Sequence, residues 1–246
     1  MDSQLPRITV SLPPGQVGDS FVLPADRLHY LQRVLRLGTG AEFVVMNGKG
    51  DRWRAQLQGN RGILLARLEN TRELLRQIHL GVAMPKGTGM ETIIKQTTEV
   101  GVVSITPLIS QRTLLHPSDH KRERWQKIAQ EAAELACRSF VPLVHAPVAL
   151  DSFLAHNLPH KFIGVTTAAP PLASLLADLP EVGDIVLLTG PEGGWTEAEV
   201  KRAQDWGWQP MSLGAAVLSA VTAPVVAAAV VSAFIFSKSS YQSHCP

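Results

Sequence analysis

From Arg7 to Glu69 the apolar positions come in short runs set between turn signals, which reads as a series of short strands. Ile8–Val10, Ser20–Val22, Glu42–Met46, Trp53–Leu57 and Ile63–Glu69 are the predicted strands. Breaks fall at Pro13-Pro14-Gly15, Gly38-Thr39-Gly40, Asn47-Gly48-Lys49-Gly50 and Gly59-Asn60-Arg61-Gly62, all of them turn chemistry. One stretch departs from this pattern. His29–Leu37 gathers Leu31, Val34 and Leu35 with Leu28 on one side and predicts a helix. Residues 1–72 therefore predict a small, mostly β barrel.

After Thr71-Arg72-Glu73 the rhythm changes. Strand Ile78–Met84 precedes a helix over Met90–Val100, where Met90, Ile93, Ile94 and Thr97 share a face. Strand Ile105–Ser110 precedes helix Lys121–Cys137. Strands near Phe162–Val165, Ile185–Leu188 and Pro210–Leu213 each precede a further helix. This alternation predicts an α/β domain over 73–246, with a mainly parallel sheet covered on both faces. Ligands of such sheets bind beyond the carboxyl ends of the strands. Two glycine turns fall there. The first is Thr189-Gly190-Pro191-Glu192-Gly193-Gly194, followed by Thr196-Glu197-Ala198-Glu199 at capping-box spacing. The second is Met211-Ser212-Leu213-Gly214. Neither is a dinucleotide fingerprint, and no Lys-Ser/Thr pair makes the first a phosphate-binding P-loop. A strand-to-helix turn that needs glycine only sterically is the competing reading.

Leu213–Phe236 carries no charged residue, a length that alone would nominate a membrane span. Pro224 interrupts it, and many of its members are Ala, Ser, Thr or Gly. A loop over 213–220 followed by a buried helix accounts for it better, and the tail from Ser237 is expected to fray.

Composition adds a little. At 246 residues and 45% hydrophobic, the chain can build a sizeable core. The net charge is +2, but residues 1–72 hold ten Lys/Arg against six Asp/Glu, and the remainder thirteen against fifteen. A basic front beside a mildly acidic remainder fits a nucleic-acid contact module on an enzyme core, with ordinary surface charge as the alternative. Cys137 and Cys245 show no disulfide or zinc spacing, and the eight histidines show no metal-ligand spacing, so no metal is expected. The N-terminus lacks the basic and apolar regions of a signal peptide, which fits a cytoplasmic protein. No nucleophile-elbow motif is present. Asn47-Gly48-Lys49-Gly50 is expected to be a hairpin turn.

Thr189–Gly194 resembles the S-adenosylmethionine loop of the SPOUT methyltransferases, and most closely that of the RsmE type. Other matches follow in order: His29 with Arg33-Val34-Leu35-Arg36, Lys86-Gly87 with Met90-Glu91, Thr98-Glu99 with Gly101, and Pro107-Leu108-Ile109-Ser110 with Arg112. Then come Glu131-Ala132-Ala133-Glu134 with Arg138 and Val141-Pro142, Ser212-Leu213-Gly214, and Thr222-Ala223. The resemblance runs from about Arg7 to about Phe236.

It implies a PUA-like RNA-binding barrel, a C-terminal trefoil knot over about 185–236, a homodimer, and methylation of N3 of a uridine in small-subunit (16S) ribosomal RNA. S-Adenosylmethionine would be the cofactor. Val165, Leu188, Gly190, Gly193, Gly194, Leu213, Gly214 and Leu218 are the candidate cofactor contacts. Arg7, Arg33 and Arg36 are candidates to grip RNA phosphates, as the resemblance implies. N3 of uridine must lose a proton near the transfer step, and a cation would stabilise the resulting anion. Lys86, Arg112 and Arg138 are the candidates. The family usually has arginine at Ala216 and Ser219, glutamate at Val221, glutamine at Leu135 and glycine at Cys137. The alternative reading is therefore a non-catalytic RNA-binding or ribosome-assembly protein that retains the fold.

Overall fold

The computed structural model describes residues 5–10, 15–69, 73–113, 119–155, 158–180 and 182–242. The Pro13-Pro14 break, the Thr71-Arg72 boundary and Cys245 lie outside the described residues. The chain forms two compact units, residues 1–73 with 130–141 and residues 74–129 with 142–246. Glu73 and the segment 130–141 are the parts that a boundary at 72/73 assigns differently.

The first unit holds β1 (Arg7–Thr9), β2 (Ser20–Val22), α1 (Ala25–His29), β3 (Glu42–Met46), β4 (Arg52–Gln58) and β5 (Arg61–Leu68). The sheet order is β1-β3-β4-β5-β2, antiparallel except for the parallel β1–β3 pair. Strict alternation places Trp53, Ala55 and Leu57 of β4 inward and Arg52, Arg54 and Gln56 outward. Ile8, Leu31, Phe43, Val45 and Leu64 complete the core with them. At the expected hairpin turn, the Asn47 side-chain oxygen accepts the amides of Lys49 and Asp51 at 2.8 and 3.1 Å. The helix expected at His29–Leu37 differs from the observed one. It starts at Ala25, widens into a π-helical turn over Tyr30–Val34, and ends with Arg36 at φ +57°.

Residues 130–141 complete this unit. Helix α3 (Asp119–Leu135) ends in a Schellman motif: the Arg138 amide donates to the Ala133 carbonyl, and the Cys137 amide to that of Glu134. Cys137 occupies the left-handed position at φ +60°. Glu134 accepts the Thr9 amide at 2.7 Å and pairs with Arg27 at 3.4 Å.

The second unit continues β6 (Ile78–Ala83), α2 (Gly89–Glu99), β7 (Ser104–Ile109), the first part of α3, β8 (Leu143–Val144), β9 (Val148–Ala149), α4 (Leu150–Leu154), β10 (His160–Gly164), α5 (Leu172–Ala177), β11 (Ile185–Thr189), α6 (Glu197–Asp205), β12 (Gln209–Met211) and α7 (Thr222–Gln242). Its sheet runs β12-β10-β11-β6-β7-β8, with β9 also on β7, and every pair is parallel. All five positions of β11 are buried. Val186 and Leu188 pack with Phe153, Leu154, Ala203 and Trp208 from the α4 and α6 side. Ile185, Leu187 and Thr189 fall on the opposite face by the two-residue period.

On that face α7 meets β6, β11, α2 and α5. Ala227 and Ala228 are fully buried, and their small side chains let the helix sit close to the sheet. The uncharged run from Leu213 is thus a loop and a packed helix. Among the described residues no helix is long and apolar enough to cross a membrane. The helix runs from Thr222 to Gln242.

The N-terminal end of this sheet carries its own polar lock. Arg76, 9% exposed, donates to the carbonyls of Gly183, Pro180 and Val182 at 2.7, 3.2 and 3.4 Å. Burial lowers the pKa of its guanidinium, and the charge of Asp184 works in the opposite direction.

Candidate functional site

The carboxyl ends of β10, β11 and β12 lie side by side, with Ile163 opposite Leu188 and Gly164 opposite Met211. The loops that leave them, 164–169, 189–195 and 212–220, enclose a cavity of about 820 Å³ together with one face of α6. That size suits a small-molecule ligand. Glu197, Val200, Lys201 and Gln204 line it at helical spacing.

Local chemistry shapes each wall. A Cβ on Gly190 would lie 3.2 Å from the Trp195 indole, so the ring would have to give by a few tenths of an ångström. The indole nitrogen donates to the Gly164 carbonyl at 3.1 Å and holds the second loop against the first. Gly214 has φ +138°, a backbone conformation L side chains rarely adopt. The capping box expected at Thr196 is formed: Thr196 Oγ1 accepts the Glu199 amide, and Glu199 Oε2 accepts the Thr196 amide at 2.8 Å. The same buried carboxylate accepts the Gln111 amide through Oε1, also at 2.8 Å.

Of the candidate cofactor contacts, Val165, Gly190, Gly194, Leu213, Gly214 and Leu218 come together on the cavity wall. Leu188 and Gly193 are placed elsewhere. Leu188 is fully buried in the core, because strand alternation turns it toward Phe153 and Trp208. Gly193 faces Arg112, whose Cδ would lie 3.1 Å from an added Cβ. Thr189, Trp195, Ser212, Glu197 and Lys201 also line the cavity. Their signals lay in the sequence: two flank the first glycine turn, one belongs to the second, and two share a face of the helix that follows.

Lys86 and Arg112 both reach the first glycine turn. The Lys86 amide donates to Glu192 Oε1 at 2.9 Å, and the Arg112 guanidinium donates to the Gly193 carbonyl. Arg138 sits in the first unit at 3% exposure, paired with Glu73 at 3.0 Å. The Glu73 carboxylate also accepts the amides of Ser139 and Phe140. That environment gives Arg138 a role in the fold, which the expectation of a reacting cation did not include.

At two of the three positions where the resemblance leads one to expect a charge, the structure shows other contacts. Ser219 Oγ accepts the Thr222 amide at 3.1 Å and caps α7. Val221 packs toward Gly89, and Ala216 is exposed on the loop. The charged side chains on the cavity are Glu192, Glu197 and Lys201. Without a cluster of basic groups the cavity does not suit a phosphate ligand, and its two carboxylates suit one bearing positive charge. Ala215–Leu218 make no backbone hydrogen bond among the described residues, leaving peptide edges for a polar ligand.

In the first unit, Arg33 is exposed on the π-helical turn and Arg36 on the left-handed residue that ends it. Arg7 lies on β1 and donates to the Leu5 carbonyl at 3.0 Å. Backbone in such sparsely populated conformations is enriched at functional positions.

A family model of an RNA methyltransferase PUA domain matches residues 23–69, and one of an RNA methyltransferase domain matches residues 72–232. The ribosomal RNA small subunit methyltransferase E of Synechocystis sp. is 43% identical over 237 residues, covering 91% of this chain and 77% of that one. The chain belongs to the ribosomal RNA small subunit methyltransferase E family. The Bacillus subtilis methyltransferase E is 26% identical over 92% of this chain and 95% of its own. A crystal structure of the Neisseria gonorrhoeae methyltransferase E bound to S-adenosyl methionine superposes with a TM-score of 0.84 at 28% identity, covering 94% of this chain and 98% of that chain. The mixed α/β architecture and the RNA methyltransferase class are those of the family.

Proposed function

We propose that this protein transfers the methyl group of S-adenosylmethionine to N3 of a uridine in small-subunit ribosomal RNA. Its enzyme class is S-adenosylmethionine-dependent rRNA methyltransferase, as in its methyltransferase E relatives. The observation that carries the reading is the cavity that the loops after β10, β11 and β12 enclose in a chain of this family.

S-Adenosylmethionine, when bound, supplies an electrophilic methyl group on a sulfonium. The chain's own work is to position and to manage charge. Val165, Leu213 and Leu218 supply apolar wall, and Gly190 and Gly214 let the backbone come close. The first glycine turn is held from two sides, by the Glu192–Lys86 bond and by Arg112 on Gly193. We assign the Lys86 ammonium and the Arg112 guanidinium to the negative charge that uridine acquires as N3 loses its proton. Arg33 and Arg36, with Arg7 on the same unit, bind phosphates of the RNA.

The trefoil knot over about 185–236 belongs to the same proposal, supported by the pairing of β12 with β10 across from β11. So does a homodimer, supported by Phe236, 66% exposed on α7. A cytoplasmic location follows from the substrate.

Calorimetric titration with S-adenosylmethionine tests the reading. Micromolar binding that Gly190→Trp abolishes supports it, because the new ring fills the space beside Trp195. No binding at millimolar cofactor favours a non-catalytic RNA-binding protein.

A further inference from the structure

Glu199 holds two elements at once. It is 1% exposed, on the first turn of α6. Its Oε2 accepts the Thr196 amide and hydroxyl at 2.8 and 3.0 Å, and a capping box asks no more of it. Its Oε1 accepts the amide of Gln111, 88 residues earlier in the chain, at 2.8 Å. A helix cap works equally well at the surface, so the cost of burying this carboxylate is offset by the second bond.

Gln111 belongs to the turn that follows β7. The Thr113 amide donates to the Ser110 carbonyl at 3.1 Å, and the Ser110 amide donates to Thr113 Oγ1 at 3.1 Å. Ser110 and Thr113 are buried, and their hydroxyls meet at 2.7 Å. Arg112 is the exposed corner of this turn, and its guanidinium donates to the Gly193 carbonyl. The contacts close a ring. From Arg112 it runs to Gly193, along the chain to Thr196, across to Glu199, and through the Gln111 amide back to Arg112.

A long side chain on an unanchored turn loses its place to rotamer and backbone freedom. We propose that Glu199 is a positioning residue for methyl transfer. By holding the Gln111 amide it fixes the turn that carries Arg112, and so places the guanidinium beside the first glycine turn. This rests on the assignment of Arg112 to the uridine charge above.

Two substitutions cut the bond from opposite ends. Gln111→Pro deletes the donating amide at the second position of the turn, where proline is favoured. Glu199→Gln keeps the shape but leaves one acceptor oxygen for two sets of donors. Thr196→Ala is the control, since it weakens the cap of α6 and leaves the Gln111 bond in place. Turnover on small-subunit rRNA, calorimetry with S-adenosylmethionine and thermal melting are measured for each. Q111P and E199Q are expected to lower kcat between about tenfold and 10²-fold, with KM and cofactor affinity within about threefold of the parent. Arg112→Ala lowers kcat at least as far, and adding Q111P to it lowers kcat no further. T196A melts about 2–4 °C lower, yet its kcat stays within about twofold of the parent.

Parental kcat in Q111P overturns the proposal, and Q111P decides alone if E199Q does not fold. Losses that multiply in the double variant overturn it too, as does a T196A loss equal to that of E199Q, because turnover then follows the cap. Loss of the fold in both Q111P and E199Q makes the bond a requirement of folding and overturns the proposal. Parental turnover in Arg112→Ala overturns the Arg112 assignment, and the proposal with it. Lost turnover there beside parental turnover in Q111P overturns the proposal alone.

Discussion

The Glu192 carboxylate accepts the Lys86 backbone amide at 2.9 Å, which ties the glycine turn after β11 to the loop after β6. Glu192 is exposed, so the bond adds little to the fold and much to the placement of the turn. Glu192→Ala is expected to weaken S-adenosylmethionine binding by about 1 kcal/mol, roughly fivefold, with a melting temperature within a degree or two of the parent. Calorimetry and thermal melting check the two halves. Unchanged affinity would mean that Arg112 on Gly193 holds the turn alone.

Arg138 and Glu73 form a pair with side-chain exposures of 3% and 14%. Removing one member of a buried pair leaves the other charge uncompensated, so Arg138→Ala should cost about 3–5 kcal/mol in urea denaturation. A reacting cation would give the opposite profile, with near-parental stability and lost turnover.

Cys137 holds φ +60° at the end of α3, where the Schellman motif needs a left-handed residue. Glycine adopts that conformation without the clash of a Cβ. Cys137→Gly should stabilise the protein by about 1 kcal/mol, read as a higher urea midpoint with an unchanged slope.

Arg33 and Arg36 sit exposed on backbone that is π-helical and then left-handed. If each neutralises one phosphate, Arg33→Ala and Arg36→Ala should each reduce the slope of log K against log salt by about 1 in titrations with small-subunit rRNA fragments. A full-sized slope in both variants would place the RNA on another surface.

Much of the fold was legible because periodicity is a local signal. The strands at Ser20–Val22 and Glu42–Met46 fall between the turn signals that bound them, and Thr196-Glu197-Ala198-Glu199 forms its capping box. The π-helical turn was not legible, since Tyr30–Val34 shows the same apolar side as an α-helix. The site was legible at its glycines and less so at its side chains. Leu188 is in the core because strand alternation outranks proximity to the turn, and Arg138 is buried because Glu73, far away in sequence, meets it.

The most direct test of the central claim is transfer of labelled methyl from S-adenosylmethionine to unmethylated small-subunit rRNA, with the product nucleoside identified by mass spectrometry. The predicted result is N3-methyluridine as the labelled product, with turnover reduced about 10²-fold to 10³-fold in Lys86→Met at unchanged cofactor affinity. Label on another nucleoside, or none on RNA at saturating cofactor, would contradict the account.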